Sequence, residues 1–224
     1  MAASLGRRVV AELIGTAFLL AAVVGSGIMG ERLSGGNEAV ALLVNTLATG
    51  TALVALIYSF GPISGAHFNP VVTLSMASRY RFGWSEVPAY LLAQMAGATI
   101  GIIGAHGMFG QPAIFWSHHA RSGPQQLLSE FIATFGLLTV IWSSKRYRME
   151  AVTFAVGAYI ASAYWFTSST SFANPAVTVA RMMSDTFTGI RPADVPGFIL
   201  AQFLGAGAAT LLSRWLLPHK ENGE

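Results

Sequence analysis

The sequence predicts an all-α membrane protein of six spanning helices and two half-helices, arranged as two inverted repeats. Three observations carry this. Only 10% of the 224 residues are charged and 53% are hydrophobic, whereas an ordinary soluble domain carries about 25% charged residues. Six apolar segments are long enough to cross a bilayer as tilted helices: roughly 9–29, 39–60, 86–107, 127–143, 151–168 and 196–217. The two halves of the chain also repeat one another.

The first run follows Arg7 and Arg8 and is long enough to span a bilayer, so it reads as a retained helix rather than a cleavable leader. Polar or turn-forming stretches separate the runs: Glu31-Arg32, Arg79-Tyr80-Arg81, 110–124, 145–148 and 186–194. Two further apolar pieces, 70–77 and 175–183, cover only about 12–15 Å at about 1.5 Å per residue, half a hydrocarbon core. With both termini cytoplasmic, the inner ends hold Arg7, Arg8, Arg79, Arg81, Lys145, Arg146, Arg148, Arg214 and Lys220. The outer ends hold Arg32, Arg121, Arg181 and Arg191. Nine against four follows the positive-inside rule, and such short basic clusters orient helices rather than bind nucleic acid.

The repeat is explicit. Ala11-Glu12-Leu13-Ile14-Gly15-Thr16 in the first helix answers Ser129-Glu130-Phe131-Ile132-Ala133-Thr134 in the fourth. Leu91-Leu92-Ala93-Gln94 answers Ile199-Leu200-Ala201-Gln202, and Asn69-Pro70-Val71 answers Asn174-Pro175-Ala176. Three spanning helices per copy is an odd number, so the second copy runs upside down. Inverted repeats place their interrupted elements near the midplane. A single domain over 1–224 is expected, with one repeat over about 8–109, a linker at 110–124 and the second repeat over about 125–217.

Asn is a favoured N-cap and Pro is favoured at the first helical position. Two such starts meeting at the midplane present two positive dipole ends, with each Asn amide left to donate into a lumen. That arrangement repels cations and lets a polar neutral solute accept hydrogen bonds. Glu12 and Glu130 are charged residues inside spanning helices, a position that suggests function. Their duplication favours a scaffold role, accepting from the backbone of a re-entrant loop, over a proton relay; Gln94 and Gln202 read the same way. Gly15, Gly97, Gly101 and Gly205 suit close helix packing. The chain has no cysteine, so it has no thiolate ligand or disulfide. His118 and His119 beside Trp116 are too few ligands for a metal site. Neither a metal, a cofactor nor an enzyme's nucleophile–base pair is expected.

Ser64-Gly65-Ala66-His67-Phe68-Asn69-Pro70-Val71-Val72-Thr73 resembles the first signature of the aquaporin (major intrinsic protein) family, and Glu12, Glu130 and both Asn-Pro motifs match it in order and spacing. The resemblance implies an hourglass bundle in the lipid bilayer, one pore per subunit and a homotetramer. It also implies a four-position selectivity filter: Thr49, Ser171, Val177 and, on the fifth helix, either Ser162 or Tyr164. Val177 stands where most members have Arg, and Thr49 where water-selective members carry a bulky aromatic. A small, chargeless filter implies passage of glycerol-like polyols and neutral metalloid hydroxides such as arsenite, with water. It places the chain near a bacterial branch of aquaglyceroporin-like channels linked to arsenical permeation, in an inner (cell) membrane. Arg181, one turn beyond Val177, either lends charge to the outer mouth, snorkels to the interface or pairs with Asp185 at i+4. His67 either lines the inner half of the pore as a titrating gate or is a hydrogen-bonded structural residue. The rival readings are a water-selective channel and a secondary active transporter, which also uses inverted repeats but needs coupling carboxylates.

Overall fold

Residues 3–79 and 82–217 are described by the computed structural model of the chain; Tyr80, Arg81 and Lys220 lie outside them. Eight α-helices follow in order: α1 Leu5–Leu33, α2 Glu38–Ser64, α3 Pro70–Ser78, α4 Val87–Met108, α5 Pro124–Tyr147, α6 Val152–Phe166, α7 Pro175–Arg181 and α8 Val195–Leu216. One-turn 3-10 helices precede α4, α6 and α8. Each expected segment is a helix. Five are long and apolar enough to span, and α6 is shorter at 15 residues. It stops at Phe166 because the chain must then turn back into the bundle to reach Asn174.

Local sequence sets the ends. Asn37 caps α2, its side chain accepting from the N–H groups of Ala39 and Val40 at 3.0 and 3.3 Å. Gly65 closes the same helix at φ +89°, a left-handed conformation that glycine adopts without strain. At the opposite pole of the sequence, Arg7 and Arg8 fall inside the first turns of α1, and Arg8 pairs with Glu86 at the start of α4.

The two halves pack alike: α1 against α2 and α4, α5 against α6 and α8, with α2 meeting α6 across the pseudo-twofold. A Cβ on Gly97 or Gly101 collides with the α1 carbonyls of Leu13 and Ala17, and one on Gly205 with the α5 carbonyl of Phe131. These glycines let helix backbones touch, as small residues do in membranes. Gly15 differs; its missing side chain makes room for the Phe68 ring. Outward faces carry exposed Phe18, Leu47, Leu92, Phe154, Leu204 and Leu211, a surface suited to lipid. The chain is an integral multi-pass membrane protein.

Candidate functional site

Two re-entrant loops, 65–68 and 167–173, carry the chain to the midplane. Matched residues in them take left-handed backbone: Ala66 and Ser171 at φ 48° and 50°, Phe68 and Ala173 at 49° and 48°. Non-glycine residues hold this conformation only where surroundings enforce it. Glu12 supplies that constraint in the first half. It accepts from the backbone N–H of His67 at 2.9 Å and Phe68 at 2.7 Å, from Ser64 Oγ at 2.7 Å and from Gln94 Nε2 at 2.9 Å. Glu130 repeats it with Phe172 and Ala173 N–H, both at 2.9 Å, and Gln202 Nε2 at 2.6 Å. Gln94 and Gln202 go on to Thr73 and Thr178 Oγ1, so the carboxylate, loop and half-helix lock together. Buried backbone donors left without acceptors would cost about 1–3 kcal/mol each.

Each Asn Oδ1 caps its own half-helix, Asn69 at Val71 N–H and Asn174 at Ala176 and Val177 N–H. The amides are less free than expected. Asn69 Nδ2 donates to the Ala173 carbonyl and Asn174 Nδ2 to the Phe68 carbonyl, each at 2.8 Å. This reciprocal tie joins the two halves at the midplane and leaves one N–H per amide for the lumen.

A continuous cavity runs past both motifs. Stripes at four-residue spacing line it on one face of each of four helices: Leu19 and Val23 on α1, Thr49, Leu53 and Ile57 on α2, Leu137, Ile141 and Lys145 on α5, Val152, Val156, Ile160 and Tyr164 on α6. The water-accessible volume of the cavity is about 80 Å³. One water needs about 10–15 Å³ by that measure, so the lumen holds a short file of waters.

Of the two fifth-helix candidates, Tyr164 enters the cavity and Ser162 does not. Ser162 is exposed on the outer face of α6 and donates to the Tyr159 carbonyl at 2.7 Å. Ser162 is displaced because it lies two residues, about 200° of helix, from the Ile160 stripe. Thr49, Ser171 and Val177 all line the cavity, as do Asn69, Asn174 and His67. Pro70, Val71, Pro175 and Ala176 are buried behind the asparagines as the first residues of their half-helices. His67 both lines the lumen and bonds Thr73 Oγ1 through Nδ1 at 3.1 Å.

Thr49, Tyr164, Ser171 and Val177 carry no charge, and of the three readings of Arg181 its position fits the one that lends charge near the outer mouth. Arg181 lines the cavity and is 1% exposed. It neither snorkels nor pairs with Asp185, which instead binds the His118 N–H and ring at 2.9 and 3.0 Å. The reason is tertiary: the linker runs over the distal end of α7, bonding Phe115 N–H to Met183 O and Ser117 N–H to Met182 O. This covers Arg181 and turns it inward, over the Phe172 ring and onto the Thr188 carbonyl. Arg121 and Lys145 were not singled out as site residues by sequence reasoning. Lys145 was detectable, since it continues the Leu137–Ile141 spacing by one more turn; Arg121 sits in an irregular linker with no such signal. His119 stays apart from the cavity lining, and no cluster of three metal-ligating side chains occurs among the described residues.

Five helices long and apolar enough to span, the shorter α6, two capped half-helices meeting head to head and a lumen through their junction define a membrane channel. The chain belongs to the major intrinsic protein family, whose pattern matches residues 2–150. It is 53% identical over 213 residues to Aquaglyceroporin AqpS of Rhizobium meliloti (strain 1021), covering 95% of this chain and 91% of that protein. It is 34% identical to Aquaporin NIP1-3 of Oryza sativa subsp. japonica over 92% of this chain and 73% of that one. Its fold matches the aquaglyceroporin from Plasmodium falciparum with a TM-score of 0.75 at 21% identity, over 96% and 98% of the two chains.

Proposed function

We propose that the protein is a passive channel for small neutral solutes: glycerol-like polyols, neutral metalloid hydroxides such as arsenite, and water. The observation that carries this reading is the lining itself. Apolar stripes form most of the wall, while Thr49, Tyr164, Ser171, Asn69 and Asn174 offer hydroxyl and amide groups along it and, among the described residues, no Asp or Glu lines it. An amphipathic neutral solute finds both halves of what it needs. A coupled transporter lacks its coupling carboxylate, because Glu12 and Glu130 are filled by loop and glutamine donors. Similarity to an aquaglyceroporin over nearly the whole chain supports the polyol reading. The filter comprises Thr49, Tyr164, Ser171 and Val177, with Arg181 at its distal edge. The basic residues favour cytoplasmic termini in a bacterial inner membrane, and the family resemblance a homotetramer.

A water-selective pore is the second reading. It is favoured by the Tyr164–Thr49 contact and by Arg181, both of which narrow the lumen relative to a small chargeless filter. Stopped-flow measurements of water, glycerol and arsenite permeability on wild type and Val177→Arg decide between them. The expected outcome is glycerol and arsenite flux in wild type and loss of both in the variant. Water flux alone, equal in both proteins, rejects the wide-pore reading. Saturable, ion-gradient-coupled flux rejects the channel.

A further inference from the structure

Two buried cations lie at the distal end of the pore. Arg181 is 1% exposed and Arg121 7%, and both guanidinium groups rest on the ring of Phe172, with Cζ 3.4 and 5.1 Å from its centroid. Neither forms an ion pair among the described residues. Two carboxylates of this end are engaged elsewhere: Asp185 with His118, and Asp194 with Arg191 and the Arg121 backbone N–H. Glu130 is filled by Phe172, Ala173 and Gln202. Two buried cations thus stand without an ion-pair partner among the described residues, and an uncompensated buried charge is among the costliest groups a protein can hold.

The two arginines are satisfied very differently. Arg121 donates Nε to Gly189 O at 2.7 Å, Nη1 to Ser169 O at 3.1 Å and Nη2 to Phe187 O at 3.3 Å. Arg181 donates only Nε, to the Thr188 carbonyl. A guanidinium carries five N–H groups in a rigid fork, so both Nη groups of Arg181, which lines the lumen, have no protein acceptor among the described residues. Ser171 Oγ, in the same lining, is likewise buried without a partner among the described residues. Water can fill these hydrogen bonds but cannot supply the missing charge. An oxyanion supplies both, and no carboxylate among the described residues of the lining opposes it, while Lys145 adds a cation at the other mouth.

We propose that the distal half of the pore is a binding site for a small planar monoanion of the nitrate or formate class. The Arg181 Nη fork and Ser171 Oγ grip it, and it sits in the field of Arg121. Planar oxygens match the guanidinium fork in a bidentate pair, and a lumen holding only a short file of waters excludes bulky anions. The proposal rests on the reading of this cavity as the solute pathway, because an anion lodged there obstructs neutral solutes that share the lumen.

The test is glycerol flux into proteoliposomes in sodium nitrate and in sodium gluconate of equal ionic strength, gluconate being too bulky to enter. Flux is expected to fall saturably with nitrate, halving at its Kd, and to be indifferent to gluconate. Arg181→Gln abolishes the nitrate dependence, and Arg181→Lys, which keeps the charge and loses the fork, weakens it. Equal wild-type flux in the two salts overturns the proposal even where a variant does not fold; so does nitrate dependence undiminished in both variants. Absence of glycerol flux in either salt counts against the channel instead. The anion site is then decided by the melting temperature of purified wild-type protein, which nitrate raises above gluconate where the site exists and leaves unchanged where it does not.

Discussion

The Tyr164 hydroxyl donates a hydrogen bond to Thr49 Oγ1 at 3.3 Å, joining α6 to α2 in the wall of the lumen. Neither side chain is close to the other in sequence, and both are buried. In the proposed filter, their contact limits how much of the space left by Val177 a solute can use. Tyr164→Phe removes the hydroxyl and keeps the ring, while Tyr164→Ala opens the lumen. Glycerol permeability relative to water is expected to rise modestly in the first and more strongly in the second, measured by stopped-flow light scattering. An unchanged ratio in Tyr164→Ala removes Tyr164 from the filter.

Glu130→Ala strips the acceptors from Phe172 N–H, Ala173 N–H and Gln202 Nε2. At about 1–3 kcal/mol for each buried donor left unpaired, the loss is expected to reach about 3 kcal/mol or more. Thermal unfolding in detergent reads it. A scaffold role also requires that solute flux in the wild type be independent of an imposed proton gradient; flux driven by that gradient restores the relay reading.

Gly205→Val and Gly97→Val force side-chain carbon into the carbonyls of Phe131 and Leu13. Each is expected to destabilise by about 1–3 kcal/mol, the usual cost of overpacking. Gly104→Ala and Gly207→Ala place their Cβ in open space and serve as controls that leave the melting temperature within a degree or so, as surface substitutions do.

The Asp185 carboxyl, outside the membrane spans, is held below its usual range by the His118 backbone N–H and ring. A depressed folded value means that the ionised carboxylate stabilises the fold above the unfolded pKa of about 3.9. That stabilisation is lost as pH falls through the lower folded value. Asp185→Asn is therefore expected to lower the melting temperature at neutral pH, with the difference from wild type shrinking as pH drops below about 4. Salt should shrink it too, since the pair is partly exposed. A difference that is constant from pH 3 to pH 7 removes the contact from the stability of the distal loops.

Much of the pore was legible in single residues and their spacing. Asn-Pro states a helix start locally through capping and a missing N–H, and a duplicated Glu inside an apolar run needs partners wherever it is placed. Thr49, Ser171 and Val177 follow by counting from Asn69 and Asn174. The α6 position was ambiguous because counting from Asn174 crosses the irregular loop 167–173. The stripe Val152, Val156, Ile160 contains the answer, since the next turn arrives at Tyr164 and not Ser162. Arg121 had no comparable signal: an irregular segment has no period from which to infer a face.

The amino-acid sequence by itself determined that this chain spans a membrane in two inverted halves and that its half-helices meet at asparagines. Composition, apolar length and capping are local properties and act wherever the residues stand. The tertiary structure decided which side chains close the lumen and what charge it carries. Tyr164 reaches Thr49 only because α6 packs on α2, and Arg181 turns inward only because residues from the linker cover the end of α7. Those contacts join residues about 60 to 115 positions apart, and only the packed fold brings them into the same few ångströms.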